Sequence, residues 1–133
     1  MTRAAPLLAV ALAVAAAACS ASRESPCDRS RPFPDRQVGG VHIVGPFSGA
    51  DVEAMVAAVE ARTAEPVFYI RTPRSIQERY YCDGLALAAV PSDTAEVWAA
   101  GEEARNLNGS GYAYYLSRRD GVWAVRDSSL WIG

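Results

Sequence analysis

One apolar stripe with helical spacing, followed only by segments typical of strands, constrains the fold of this chain most. The stripe recurs at i, i+3, i+4 and i+7, the spacing of one buried helix face, in Val52, Met55, Val56 and Val59. Ser48 and Asp51 before it are spaced as a capping box, with Asp in place of the usual Glu or Gln. Because Pro66 restricts the backbone that precedes it, we expect this helix to end near Thr63.

Runs of β-branched and aromatic residues predict the strands. They occupy residues 41–44, 67–71, 76–83, 85–90, 94–99, 112–118 and 122–126, and residues 130–132 could prolong the last one. Asp120-Gly121 between the last two runs is typical of a hairpin turn. Residues 101–111 predict a loop, within which 102–107 could form a helical turn. One amphipathic helix can bury its stripe only against a sheet. The sequence therefore predicts an α+β domain over residues 41–133, with one helix packed on a curved antiparallel sheet of four to six strands.

A closing segment of the chain resembles part of two known families of rolls. Residues 111–125 read Gly-Tyr-Ala-Tyr-Tyr-Leu-Ser-Arg-Arg-Asp-Gly-Val-Trp-Ala-Val. They look like the last hairpin of cystatin-like and nuclear-transport-factor-2-like rolls, in which a curved sheet wraps a helix. The resemblance implies such a roll for residues 41–132. The cystatin-like variant fits better, because the other family usually carries more helices before its sheet.

The N-terminal residues predict a secretory signal. Arg3 precedes an apolar run over residues 4–18, which is shorter than the roughly 20 residues that span a bilayer. Ala16-Ala17-Ala18-Cys19 resembles the lipobox of bacterial lipoproteins, with Ala16 where that family usually has Leu. The resemblance implies that Cys19 becomes the diacylated first residue of the mature chain, and acyl chains of this kind anchor a protein stably.

The same resemblance predicts where the protein lies. Ser20 follows Cys19 where an Asp would favour the inner membrane, which implies the outer membrane, facing the periplasm. We thus expect a signal peptide at residues 1–18, the lipidated Cys19 with a Ser-, Pro- and charge-rich linker at 19–40, and the domain at 41–133. An ordinary secreted protein cut after Ala18 or Ala21 is the alternative.

Three cysteines are present, and an odd number in an exported protein needs an explanation. Lipidation of Cys19 would supply one and leave Cys27 and Cys82 to form a disulfide, which an oxidising compartment permits. Closing the loop between Cys27 and Cys82 would stabilise the fold by roughly 4 kcal/mol in the chain-entropy model. The alternative is two unrelated thiols.

The charged and histidine residues reveal no catalytic constellation. All thirteen basic residues are arginine, and the formal net charge is −2, which disfavours nucleic-acid binding. His42 is the only histidine, and no residue fixed beside it in sequence could orient it as a base. A nucleophilic Cys82 paired with His42 is disfavoured by the expected disulfide. We find no zinc-type spacing and no phosphate-binding glycine loop, and we expect neither a cofactor nor an enzymatic activity.

Two features are candidates for binding. Arginines cluster after the second strand and in the hairpin, namely Arg71, Arg74, Arg79, Arg118 and Arg119. If the sheet brings them together, they would form an anion-binding face; otherwise they are solvated charges balanced by acids. The second feature is aromatic and comprises Tyr69, Tyr80, Tyr81, Trp98, Tyr112, Tyr114, Tyr115, Trp123 and Trp131. Such residues serve equally in a core and at an interface, and strand alternation places Tyr114 and Tyr115 on opposite faces.

The sequence therefore predicts a small, non-enzymatic lipoprotein of the cell envelope. Its membrane contact would be the lipid anchor, and its sheet face or edge would bind a protein partner, as in an immunity-type inhibitor or an accessory subunit. The alternative is a roll that binds a small ligand between helix and sheet, with arginines at the mouth of the pocket.

Overall fold

The computed structural model describes residues 30–101 and 110–132. The elements, in chain order, are β1 (Asp35–Val38), β2 (Val41–Val44), α1 (Gly49–Glu60), β3 (Val67–Arg71), α2 (Arg74–Cys82), a 3₁₀ turn (Leu87–Ala89), β4 (Thr94–Ala99), β5 (Ser110–Arg119) and β6 (Val122–Ile132). The strands form one six-stranded sheet in the order β1-β2-β3-β4-β5-β6. All neighbouring strands are antiparallel except β2 and β3, which are parallel and joined through α1. The predicted α+β class is confirmed.

Helix α1 begins as the sequence predicts. The Ser48 hydroxyl accepts a hydrogen bond from the Asp51 N–H (3.1 Å), and the Asp51 carboxylate accepts one from the Ser48 N–H (3.3 Å). The predicted stripe is the buried face of the helix, through Val52, Met55 and Val59. It packs on one face of the sheet, which we call the helix face. The buried residues of that face include Ile43, Ile70, Val97 and Leu116. This packing fills the domain core.

The predicted strand at residues 76–83 is wrong, since residues 76–82 belong to helix α2 and Asp83 is its C-cap. The aromatic pair Tyr80-Tyr81 favours a strand by propensity, but local interactions favour a helix. Pro73 stands at the N-cap, a helix-compatible position for proline, and its carbonyl accepts the N–H groups of residues 76 and 77. Arg74 and Glu78 form an i,i+4 ion pair of 3.0 Å along the helix surface.

Three further expectations about the sheet are also corrected. Residues 85–90, expected as a strand, contain only the 3₁₀ turn Leu87–Ala89. Strand β1 lies inside the stretch expected to be linker. The sequence does not predict this strand, because all four of its residues are exposed and show no apolar alternation. The parallel β2–β3 pair departs from the expected all-antiparallel sheet, because α1 carries the chain back to the starting end of β2 before β3 begins.

The predicted hairpin is confirmed. Arg119 pairs with Val122 across a two-residue turn. Asp120 and Gly121 both have positive φ (53° and 76°), as a primed hairpin turn requires. The last strand extends to Ile132, as expected. Among the described residues, no helix is long and apolar enough to cross a membrane.

Candidate functional site

The sheet face opposite α1 carries a row of aromatic side chains. We call it the aromatic face and define it by His42, Tyr69, Trp98, Tyr115 and Trp131. Strand alternation places them there, since their strand neighbours supply the buried residues of the helix face. The row is continuous: successive ring centroids lie 5.3 Å (His42–Tyr69), 6.3 Å (Tyr69–Trp98) and 5.4 Å (Trp98–Trp131) apart.

Trp131 lies flat on strand β5, and a glycine makes this possible. Gly111 is the register partner of Trp131. A Cβ atom at Gly111 would stand 2.5 Å from Cζ2 of the indole and 2.8 Å from the Cβ of Ala100. Only a residue without a side chain fits beneath the ring. The indole therefore spreads across the sheet towards Trp98, and the two rings form one apolar surface.

A half-buried ion pair lies beside this surface. The Arg71 guanidinium donates to Glu96 Oε1 at 2.8 Å, and its Cζ lies 5.2 Å from the ring centroid of Trp98. The Trp98 indole N–H donates to the same carboxylate oxygen at 2.8 Å. The side chain of Glu96 is 7% exposed and that of Arg71 is 23% exposed, so the charges are shielded from solvent. The hydrogen bond to Glu96 fixes the orientation of the Trp98 indole, and Arg71 places a cation over its ring face.

A second polar cluster lies at the start of α1, on the helix face. The Asp51 carboxylate accepts hydrogen bonds from Arg118 (3.0 Å) and from the indole N–H of Trp123 (2.9 Å), in addition to the Ser48 N–H. Burial raises the pKa of Asp51, but the hydrogen bonds from Trp123 and Ser48, together with the charge of Arg118, outweigh this effect and hold the pKa below its ordinary value. This cluster joins α1 to strands β5 and β6.

The predicted arginines take separate positions. Arg71 lies on the aromatic face with Glu96, and Arg118 lies on the helix face with Asp51. Arg74 and Arg79 are exposed on α2. The sheet thus separates Arg71 from Arg118, and each of these two has an acidic partner.

The predicted cysteine sites are only partly within the described residues. Cys82 is the last residue of α2. Its predicted partner Cys27 and the predicted lipidation site Cys19 lie outside the described residues. The Cys27–Cys82 pairing therefore stays a prediction.

A surface groove lies where α1 ends beside the outer strand β6. It has a volume of about 290 Å³ and is lined by Arg62, Val125, Arg126, Asp127 and Ser128. Sequence reasoning missed it, because Arg62 and Arg126 are far apart in the chain and neither falls in an arginine cluster. Only the packing of α1 against β6 brings them together.

His42 pairs with Asp35 across β1 and β2, and its ring contacts Tyr69. In residues 30–101 and 110–132, no three His, Cys, Asp or Glu side chains are grouped so as to hold a metal ion.

No family model, curated protein or solved structure matches this chain.

Proposed function

We propose that this chain is a small, non-enzymatic lipoprotein of the cell envelope whose domain binds a protein partner through the aromatic face. An immunity-type inhibitor or an accessory subunit of an envelope assembly would need such a surface for binding a protein partner. The observation that carries the proposal is the continuous aromatic row on a sheet face that is separate from the filled core. Tyr and Trp side chains combine a large apolar area with a polar group, and they dominate binding energy at interfaces.

The composition of the aromatic face supports a protein partner. Tyr115, 37% exposed, presents its ring on this face, and its hydroxyl lies 3.4 Å from Ser129 Oγ. The Arg71–Glu96 pair adds a cation and an anion that already satisfy each other. A surface of fixed aromatic rings with few unpaired charges costs little conformational entropy or desolvation when it is covered.

The anchor would determine where the partner is met. If Cys27 pairs with Cys82, the free tether runs only from Cys19 to Cys27. Such a tether reaches at most about 26–29 Å when extended and averages roughly 16 Å as a coil. The partner would then lie at or near the same membrane. The finer expectation of a cystatin-like roll, in which the sheet curves around α1, belongs to the same proposal and is supported by the packing of α1 on β3, β4 and β6.

The matched test of the aromatic face uses two tyrosines of one strand. Tyr115 lies on the aromatic face, and Tyr112 lies on the helix face at 44% exposure. Proteins crosslinked to the membrane-bound chain are identified and quantified by mass spectrometry. We expect Tyr115→Ser to reduce recovery of a specific partner several-fold and Tyr112→Ser to leave it unchanged. Equal loss in both variants, or loss in neither, contradicts the proposal.

The anchor and the disulfide have separate tests. Cys19→Ser should move the protein from the membrane fraction to the soluble fraction, because the acylated thiol is lost. Persistence in the membrane fraction would refute lipidation. Peptide mapping without reduction should recover Cys27 linked to Cys82, and two free thiols, or a different partner for Cys82, would refute the pairing.

A further inference from the structure

We infer that the groove between the end of α1 and strand β6 binds a small oxyanion, a phosphate or carboxylate group. The groove adjoins the aromatic face, since Asp127 is the register partner of Tyr115, but the argument for it uses other residues. Its volume of about 290 Å³ lies at the lower end of the range for ligand pockets, so it suits one anionic group with a short attachment. Two arginines and the Ser128 hydroxyl supply donors, and one acid, Asp127, lines the same groove.

Arg126 is held in position by the protein while its outer nitrogens stay available. Its Nε donates to Ser117 Oγ at 2.7 Å, which uses one edge of the guanidinium. The two terminal nitrogens carry the remaining four N–H donors in a planar fork that matches a carboxylate or phosphate. A guanidinium fixed through Nε loses less entropy when it binds an anion than a free side chain does.

The shape of β6 gives Arg126 a position outside the regular strand register. Tyr115 pairs with Asp127, and Leu116 pairs with Val125, so Arg126 has no residue opposite it. It is the extra residue of a β-bulge. Bulges redirect a side chain locally and are frequent at sheet edges and beside binding sites.

The charge of the groove favours an anion. Arg71, Arg74 and Arg118 each form an ion pair with an acid. By contrast, neither Arg62 nor Arg126 has an acid within ion-pair distance in the part of the chain that the structure describes. The two arginines that line the groove therefore have no acidic partner among the described residues.

Two groups at the groove could repel an anion, namely the Asp127 carboxylate and the carbonyl end of α1, and both already accept hydrogen bonds from the protein. Asp127 Oδ1 accepts the N–H of Ser128 at 2.8 Å. At the end of the helix, the carbonyl of Val59 accepts the N–H groups of Arg62 (2.8 Å) and Thr63 (3.1 Å). These bonds reduce the negative potential that a helix C-terminus would otherwise direct at an anion.

The test measures binding of inorganic phosphate and of succinate by titration, following the arginine Nε–H resonances of ¹⁵N-labelled protein. We expect saturable shifts at Arg62 and Arg126, and roughly tenfold weaker binding in Arg62→Gln and in Arg126→Gln, since each removes a charge-assisted bond. Arg119→Gln, an exposed arginine at the hairpin, is the matched control and should bind as the wild type does. Asp127→Asn should bind at least twofold more tightly, because it removes the one acid in the groove.

A second arm distinguishes a free anion from a lipid headgroup. Flotation of the Cys19→Ser protein with phosphatidylglycerol vesicles, against phosphatidylcholine vesicles, tests the headgroup. Saturable binding of soluble phosphate or succinate assigns the site to a free ligand. Arg62- and Arg126-dependent flotation with phosphatidylglycerol alone assigns it to a lipid. The inference is overturned if no probe binds saturably, or if Arg119→Gln weakens binding as much as Arg62→Gln does in a folded protein.

Discussion

Substitution of Asp51 should destabilise the domain strongly, because three donors converge on its carboxylate. In Asp51→Ala, the indole N–H of Trp123, a residue only 7% exposed, loses its acceptor, which costs about 1–3 kcal/mol. Arg118 is 34% exposed, so loss of that ion pair adds less than about 1 kcal/mol. The lost half of the capping box adds about 0.5 kcal/mol, since the Ser48 hydroxyl still accepts its bond. We expect a total loss of about 2–4 kcal/mol.

Asp51→Asn separates the charge from the hydrogen bonds. The amide keeps an acceptor oxygen, so we expect a smaller loss of about 1 kcal/mol at neutral pH. The pKa of Asp51 in the folded state lies below its ordinary value. The stabilisation by the carboxylate is therefore fully present above the pKa that Asp51 has in the unfolded chain. It disappears as the pH falls through the lower pKa of the folded state. The stability difference between wild type and Asp51→Asn should accordingly shrink below about pH 4.

Urea unfolding followed by tryptophan fluorescence, at several pH values, measures both effects. Glu53→Gln is the matched control, because Glu53 lies in the same helical turn and is exposed. It should change stability by less than about 0.5 kcal/mol. The reasoning fails if Asp51→Ala is as mild as Glu53→Gln, or if the gap between wild type and Asp51→Asn does not depend on pH.

Two further predictions concern the aromatic face. Gly111→Ala should cost about 1–3 kcal/mol and alter tryptophan fluorescence, because the new methyl group displaces Trp131. Gly49→Ala, whose Cβ meets no atom within 4 Å, is the control, and equal effects would refute the packing argument. Glu96→Ala should cost about 3 kcal/mol, because Arg71 and the Trp98 indole N–H both lose their acceptor. The double variant Glu96→Leu/Arg71→Met should regain the part of this loss that is due to the unpaired Arg71, as urea unfolding would show. A double variant less stable than Glu96→Ala would contradict this.

The parts of the fold that follow from local chemistry could be predicted from the sequence. Ser48 and Asp51 define the start of α1, and Asp120-Gly121 defines the last turn, because each motif supplies its own hydrogen bonds or backbone angles. Helix α2 was not predicted, because Tyr80 and Tyr81 favour a strand by propensity, whereas the stabilising Arg74–Glu78 pair becomes visible only once a helix is assumed.

The candidate sites needed three-dimensional information. The aromatic composition was evident, but assigning Tyr115 and Trp131 to one face required the register of β5 with β6. Predicting the groove requires still more knowledge of the tertiary structure. Nothing in the sequence shows that a bulge leaves Arg126 unopposed, or that Arg62, just beyond the end of α1, lines the same groove. The separation of Arg71 from Arg118 likewise follows from strand alternation across three strands, which sequence clustering does not reveal.

The sheet order has a consequence for how the domain folds. Strands are arranged across the sheet in the same sequence in which they occur along the chain, so every pairing joins strands that are consecutive in the chain. No strand must be inserted between two that have already paired. The sheet can therefore grow outwards from the β5–β6 hairpin, one strand at a time. The slow steps should be closure of residues 45–66 around α1 and of residues 72–93 through α2, because these two connections are equally long and each must close before its strands can pair.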